Sequence, residues 1–124
     1  MATLLGSVLW SFKAQRYPDV ASFVAAVHDY NMRVVQREPD WNPEEVVIEA
    51  QRVRVNYESV RGDAYDFAST EVTTPDPRGF TAGYLLWRLH EALAQENLAD
   101  HCFFEGLTRV RGGTPPLWEL RQGS

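Results

Sequence analysis

Three histidines, His28, His90 and His101, and one cysteine, Cys102, are the side chains here best suited to proton transfer, metal ligation or nucleophilic attack. Their spacing supplies little of that chemistry. No two histidines stand three or four residues apart, so no helix presents a ready pair of ligands. Cys102 follows His101 directly, and neighbours on a strand point to opposite faces, which is poor geometry for a dyad. Glu105 lies four residues after His101, so a strand would carry both on one face. His90, His101 and Glu105 are therefore the candidate metal or acid–base set, with ordinary polar histidines as the plainer reading. An unpaired cysteine most often fills core space, and that reading is favoured for Cys102.

The phosphate-cradling glycine loops, the C-x-x-C and H-E-x-x-H metal motifs and the G-x-S-x-G nucleophile elbow do not occur. No catalytic residue and no cofactor is expected. The acids Asp63, Asp66 and Glu71 read as solvated turn and strand residues.

A second set of residues suits recognition rather than catalysis. Trp41 sits in a proline-bounded acidic loop with Glu38, Asp40, Glu44 and Glu45. Tyr84 and Trp87 lie off the leucine stripe of a predicted helix. Half-exposed Trp and Tyr make good anchors because they bury large area at low entropy cost. Acids around such an anchor suit a basic protein partner. The alternative is that Trp41 folds back onto the core and Trp87 packs against a neighbouring loop.

Charge and composition narrow the classes. Twelve Lys and Arg against seventeen Asp and Glu give a net charge of −5, which repels phosphate backbones, so nucleic-acid binding is not expected. No run is long and apolar enough to span a bilayer, and no leader or lipidation signal is read at Met1 to Leu9 or elsewhere. With a single cysteine, the expected compartment is the reducing cytoplasm. A chain of 124 residues, 44% hydrophobic, with four Trp, five Tyr and six Phe, is expected to form one domain over 1–124 with its own core.

Periodicity supplies the elements that must position these groups. Val8, Trp10, Phe12 and Ala14 alternate on a first strand. Asp19 caps a helix over about 20–36, with Val20, Phe23, Val24, Val27 and Val34 as its apolar stripe. Val46 to Glu58 reads as one long strand, Arg61-Gly62-Asp63 as a turn, and Ala64 to Thr73 as the returning strand. Thr81 caps a second helix over about 82–96, with Ala82, Leu85, Leu86, Leu89 and Leu93 buried. Cys102–Val110 and Leu117–Arg121 are the last strands. The expected fold is α+β: a two-layer sandwich of a mainly antiparallel five-stranded sheet, in chain order β-α-β-β-α-β-β, with two helices on one face. The polar sheet face would carry Lys13, Arg52, Arg54, Glu58, Asp66, Glu105, Arg109, Glu119 and Arg121.

In size, acidity and lack of motifs the chain is similar to bacterial immunity proteins that neutralise toxins, a likeness of composition that carries over no residue. The leading expectation is a protein-binding module, an immunity-type inhibitor of a basic partner acting through the Trp41 loop. A small enzyme or ligand-binding protein using the His101–Glu105 region is the alternative. A homo-oligomer of structural role, dimerised across an open sheet edge, is a third.

Overall fold

Helix α1 spans Val20–Val35 and begins where Asp19 accepts a hydrogen bond from the Ser22 amide at 2.8 Å. It ends at Gln36, whose backbone turns left-handed (φ 55°) and returns its amide to Met32. Its buried stripe is Phe23, Val27 and Asn31. Val34, one turn beyond Asn31 near the end of the helix, is exposed instead. The Asn31 amide is fully used there: it accepts from Leu9 N–H and donates to the Leu9 and Val27 carbonyls. Helix α2 spans Ala82–Leu93 and begins at Thr81, which accepts from the Tyr84 amide. Its face of Leu85, Leu86, Leu89, His90 and Leu93 is buried.

The computed structural model describes residues 3–110 and 112–123; Met1, Ala2, Arg111 and Ser124 lie outside it. The strands are β1 (Trp10–Ser11), β2 (Val46–Ile48), β3 (Arg52–Arg61), β4 (Ala64–Thr73), β5 (Phe80–Thr81), β6 (Phe103–Val110) and β7 (Leu117–Gly123). The expected α+β class, with a five-stranded sheet and two helices, is what forms. The sheet order is β1-β6-β7-β3-β4, and β2 pairs with β5 in a separate two-stranded ribbon.

Two expectations need correction. The sheet is mixed: β3 and β7 run parallel, while the other pairs are antiparallel. The stretch from Val46 to Glu58 is broken in two, since Val46–Ile48 leaves to pair with Phe80–Thr81 and only Arg52 onward joins the main sheet. Gly79 makes that crossing possible. Its φ is +118°, and a Cβ there would stand 2.0 Å from the Ile48 carbonyl oxygen.

Val53, Val55 and Tyr57 of β3, Phe104 and Leu107 of β6, and Leu120 of β7 pack with Phe23, Val27 and the α2 leucines to form the core. The other face of β3 and β4 carries Arg54, Asn56, Glu58, Phe67 and Glu71. Arg109 does not join that face as expected. A bulge in β6 between Phe104 and Leu107, at Gly106, reverses the alternation. Arg109 therefore pairs with Trp118, and its guanidinium lies 5.9 Å from that ring.

Candidate functional site

The acidic loop is fastened to the start of α2 by its backbone. The Ala82 and Gly83 amides, both first-turn donors with no partner inside the helix, donate to the Glu45 and Pro43 carbonyls at 2.9 Å each. Gly83 allows that approach: a Cβ there would meet Val24, the Pro43 carbonyl oxygen and the Pro43 ring at 3.0–3.2 Å. The loop is thus wedged where α1 and α2 converge.

Trp41 is half-buried against the core, and its indole N–H donates to His28 Nε2 at 3.2 Å. That bond leaves the proton of the neutral imidazole on Nδ1. Spacing had not linked His28 to Trp41; the only sequence signal was a histidine facing outward one turn after Val24. Around this fixed ring, Glu38, Asp40, Glu44 and Glu45 are all exposed. Among the described residues none of them makes a salt bridge. The loop separates two clefts. One, of about 410 Å³, is bounded by Asp40, Trp41 and Glu45 on one side and Leu4 to Ser7 on the other. The second, of about 580 Å³, lies between Pro43, Glu44 and the apolar start of α1 at Val20, Ala21 and Val24.

Tyr84 and Trp87 are also half-buried and lie edge to face, with ring centroids 5.6 Å apart. Tyr84 further leans on Phe80. The Trp87 indole N–H is buried without a hydrogen-bond partner among the described residues.

The histidine set does not assemble. His90 is 1% exposed and surrounded by Trp10, Phe12, Tyr17 and Phe23. Both ring nitrogens are engaged: Nδ1 accepts from the Trp10 indole at 3.1 Å, which leaves Nε2–H to donate to the Gln15 carbonyl at 2.7 Å. Burial depresses its pKa below the ordinary value of 6.5, against the opposing pull of the Gln15 bond and of Glu91. His90 is a neutral core histidine that ties β1 and the Gln15 loop to α2.

His101 instead meets Glu58, with Nδ1 3.2 Å from Oε2, and stacks on Tyr65 at 4.2 Å. Tyr65 donates its hydroxyl proton to Asp100 at 2.5 Å, a bond that holds the Asp100 carboxyl below its usual range and the phenol above its own. Glu105 is exposed beside Gly123 and has no hydrogen bond to His101. The carboxylate that reaches His101 comes from β3, across the sheet, where no sequence spacing could identify it. The His101–Glu58 pair borders a cleft of about 190 Å³ that also includes Phe67, Glu119 and Arg121. Cys102 is half-buried, and the only described polar contact of its thiol is the Ser11 hydroxyl at 3.9 Å. Among the described residues no group of three His, Cys, Asp or Glu side chains could hold a metal ion. Among the described residues no helix is long and apolar enough to cross a membrane.

These features define a small α+β protein with an acidic, aromatic-centred loop clamped to a helix start. No protein-family model, curated protein or solved structure matches the chain. What it can do is carried by its own geometry.

Proposed function

We propose that the chain is a protein-binding module that presents the Glu38–Glu45 loop to a basic partner, in the manner of an inhibitor. One observation carries this reading: four exposed carboxylates without a counter-charge among the described residues surround a half-buried Trp41 between two clefts. Unpaired like charges repel one another at modest cost on a free surface and are relieved by a cationic partner. The wedged loop also needs little ordering when it binds, which favours affinity. Tyr84 and Trp87, further along α2, are candidates to extend the contact.

The test is capture from lysate by the wild-type protein beside a Glu44→Lys/Glu45→Lys variant. A basic protein retained by the first and lost from the second, with an association rate that falls as salt rises, supports the reading. Equal retention by both removes this surface from the proposal.

A second reading rests on the His101–Glu58 pair. A carboxylate on Nδ1 orients the imidazole and leaves Nε2 as a base or ligand at the rim of the 190 Å³ cleft. A zinc-induced rise in Tm that disappears in His101→Ala favours it; no shift with zinc counts against a metal role.

A further inference from the structure

A further cavity, remote in character from the acidic loop, lies between α1 and the segment from Trp10 to Tyr17. It measures about 260 Å³. Its rim is cationic in an otherwise acidic protein. Lys13 is exposed and makes no ion pair among the described residues. Arg33 is bound to Asp29 only through Nε, at 2.9 Å, which leaves its terminal NH groups without a partner among the described residues. Asp29, on the same rim, offsets one of the two positive charges, so the site is suited to a single negative charge.

Its walls are aromatic. Tyr17 and Tyr30 line it, and the Trp10 ring, packed against both at 6.0 and 5.6 Å, closes the floor. Neither phenol hydroxyl is hydrogen-bonded to another described residue. Both are donors as well as acceptors, and the Arg33 guanidinium lies 5.9 Å from the centre of the Tyr30 ring. The cavity is therefore a hollow lined by Trp10, Tyr17 and Tyr30 together with uncommitted cationic and hydroxyl donors. That is the pattern of a small-ligand site in which a few polar groups orient an apolar body.

We propose that this cavity binds a small organic carboxylate with a planar apolar body, of about the size of benzoate, with Arg33 and Lys13 holding the carboxylate and Tyr17 and Tyr30 flanking the ring. A cavity of this volume is below the usual range for larger ligands, which limits the occupant to one ring.

Titration of ¹⁵N-labelled protein with benzoate tests it. The expected result is saturable shifts confined to Lys13, Tyr17 and the Asp29–Arg33 turn, with a Kd on the order of millimolar for so small a probe. Benzamide, the neutral isostere, should bind at least about ten-fold more weakly, as should the Arg33→Gln and Lys13→Gln variants, since each removes a charge-assisted contact. The Arg33 side chain is 66% exposed, so its replacement leaves the fold intact, and an unchanged amide spectrum elsewhere verifies this. Equal binding of benzamide, equal binding of inorganic phosphate, or wild-type affinity in both variants would overturn the proposal. So would the absence of saturable shifts at tens of millimolar benzoate.

Discussion

The side-chain amide of Gln122 takes the place of a backbone rung between β7 and β3. It accepts from the Glu58 amide at 2.7 Å and donates to the Glu58 carbonyl at 3.1 Å. The parallel pairing covers only Arg54–Asn56 against Leu117–Glu119, and beyond that the ladder is continued by this one side chain. The same amide donates to the His101 carbonyl at 2.8 Å. Gln122 thus sets the positions of both partners in the His101–Glu58 pair.

Replacing Gln122 by Ala removes all three bonds and leaves the Glu58 amide without this acceptor. A loss of about 1–3 kcal/mol is expected. The urea midpoint should fall with little change in slope, and the His101 ring resonances should move, because its backbone anchor is gone. A midpoint within error of wild type would show that water replaces the amide at no cost.

Much of the architecture was legible because it follows from local pattern. The caps at Asp19 and Thr81, the leucine stripe of α2 and the Gly62-Asp63 hairpin are all near-neighbour chemistry. What the sequence concealed depends on contacts between distant residues. The parallel β3–β7 pairing joins Asn56 to Glu119, and nothing in either strand specifies that partner. The Gly106 bulge reverses the facing of Arg109 without disturbing the hydrophobic alternation on either side. The acidic loop was legible as a surface, but its attachment to the α2 amides was not. The histidines were legible only as candidates, since burial separates His90 from His101 and burial is set by the whole fold.

His90 gives the protein a pH dependence with a definite sign. Desolvation depresses its folded pKa, so between that value and the unfolded value of 6.5 the unfolded chain binds the extra proton. Stability therefore falls as pH drops below 6.5, and it levels off above that. Asp19, Asp76 and Asp100 have lowered pKa values, so what they contribute is present above the ordinary carboxyl value of 3.8 and is lost only as pH falls below it. Chemical denaturation from pH 7.5 to 5 should show declining stability in the wild type. A His90→Gln variant should be less stable throughout, with a flatter profile. An equal slope in both proteins would place the titration elsewhere.

Gly79→Ala should be among the most damaging single-methyl additions. The new Cβ would meet the Ile48 carbonyl and the Ala50 amide, backbone atoms that cannot rotate away, at a φ of +118°. Separation of β2 from β5 and a loss of about 2–4 kcal/mol are expected. Gly62→Ala is the control. Its φ is +65° but nothing lies within 4 Å, so only the conformational penalty of about 1 kcal/mol remains. Thermal unfolding of the two variants side by side measures the steric clash together with the greater backbone strain at φ +118°. Similar shifts in Tm would mean that the Gly79 backbone relaxes.

The outer edge of β4 offers the last prediction. In the five-stranded sheet β4 is terminal and ten residues long, and Phe67 on it is 74% exposed. Such an edge is a template for another strand. Register shows that Phe67 faces away from β3 in its hydrogen bonding, since Ser59 and Tyr57 pair with Asp66 and Ala68 while the Glu58 backbone is taken by Gln122. The Phe67 amide is accepted by the Asp66 carboxylate at 2.8 Å, a bond that occupies the donor an incoming strand would need. Asp66→Ala frees that donor and removes a negative charge that would repel a second acidic copy. Light scattering over a concentration series should show this variant shifted toward dimer relative to wild type. Adding Phe67→Lys to the same chain should reverse the shift, because it returns charge to the edge. If Asp66→Ala and the wild type have the same mass at every concentration, the carboxylate is not what protects this strand.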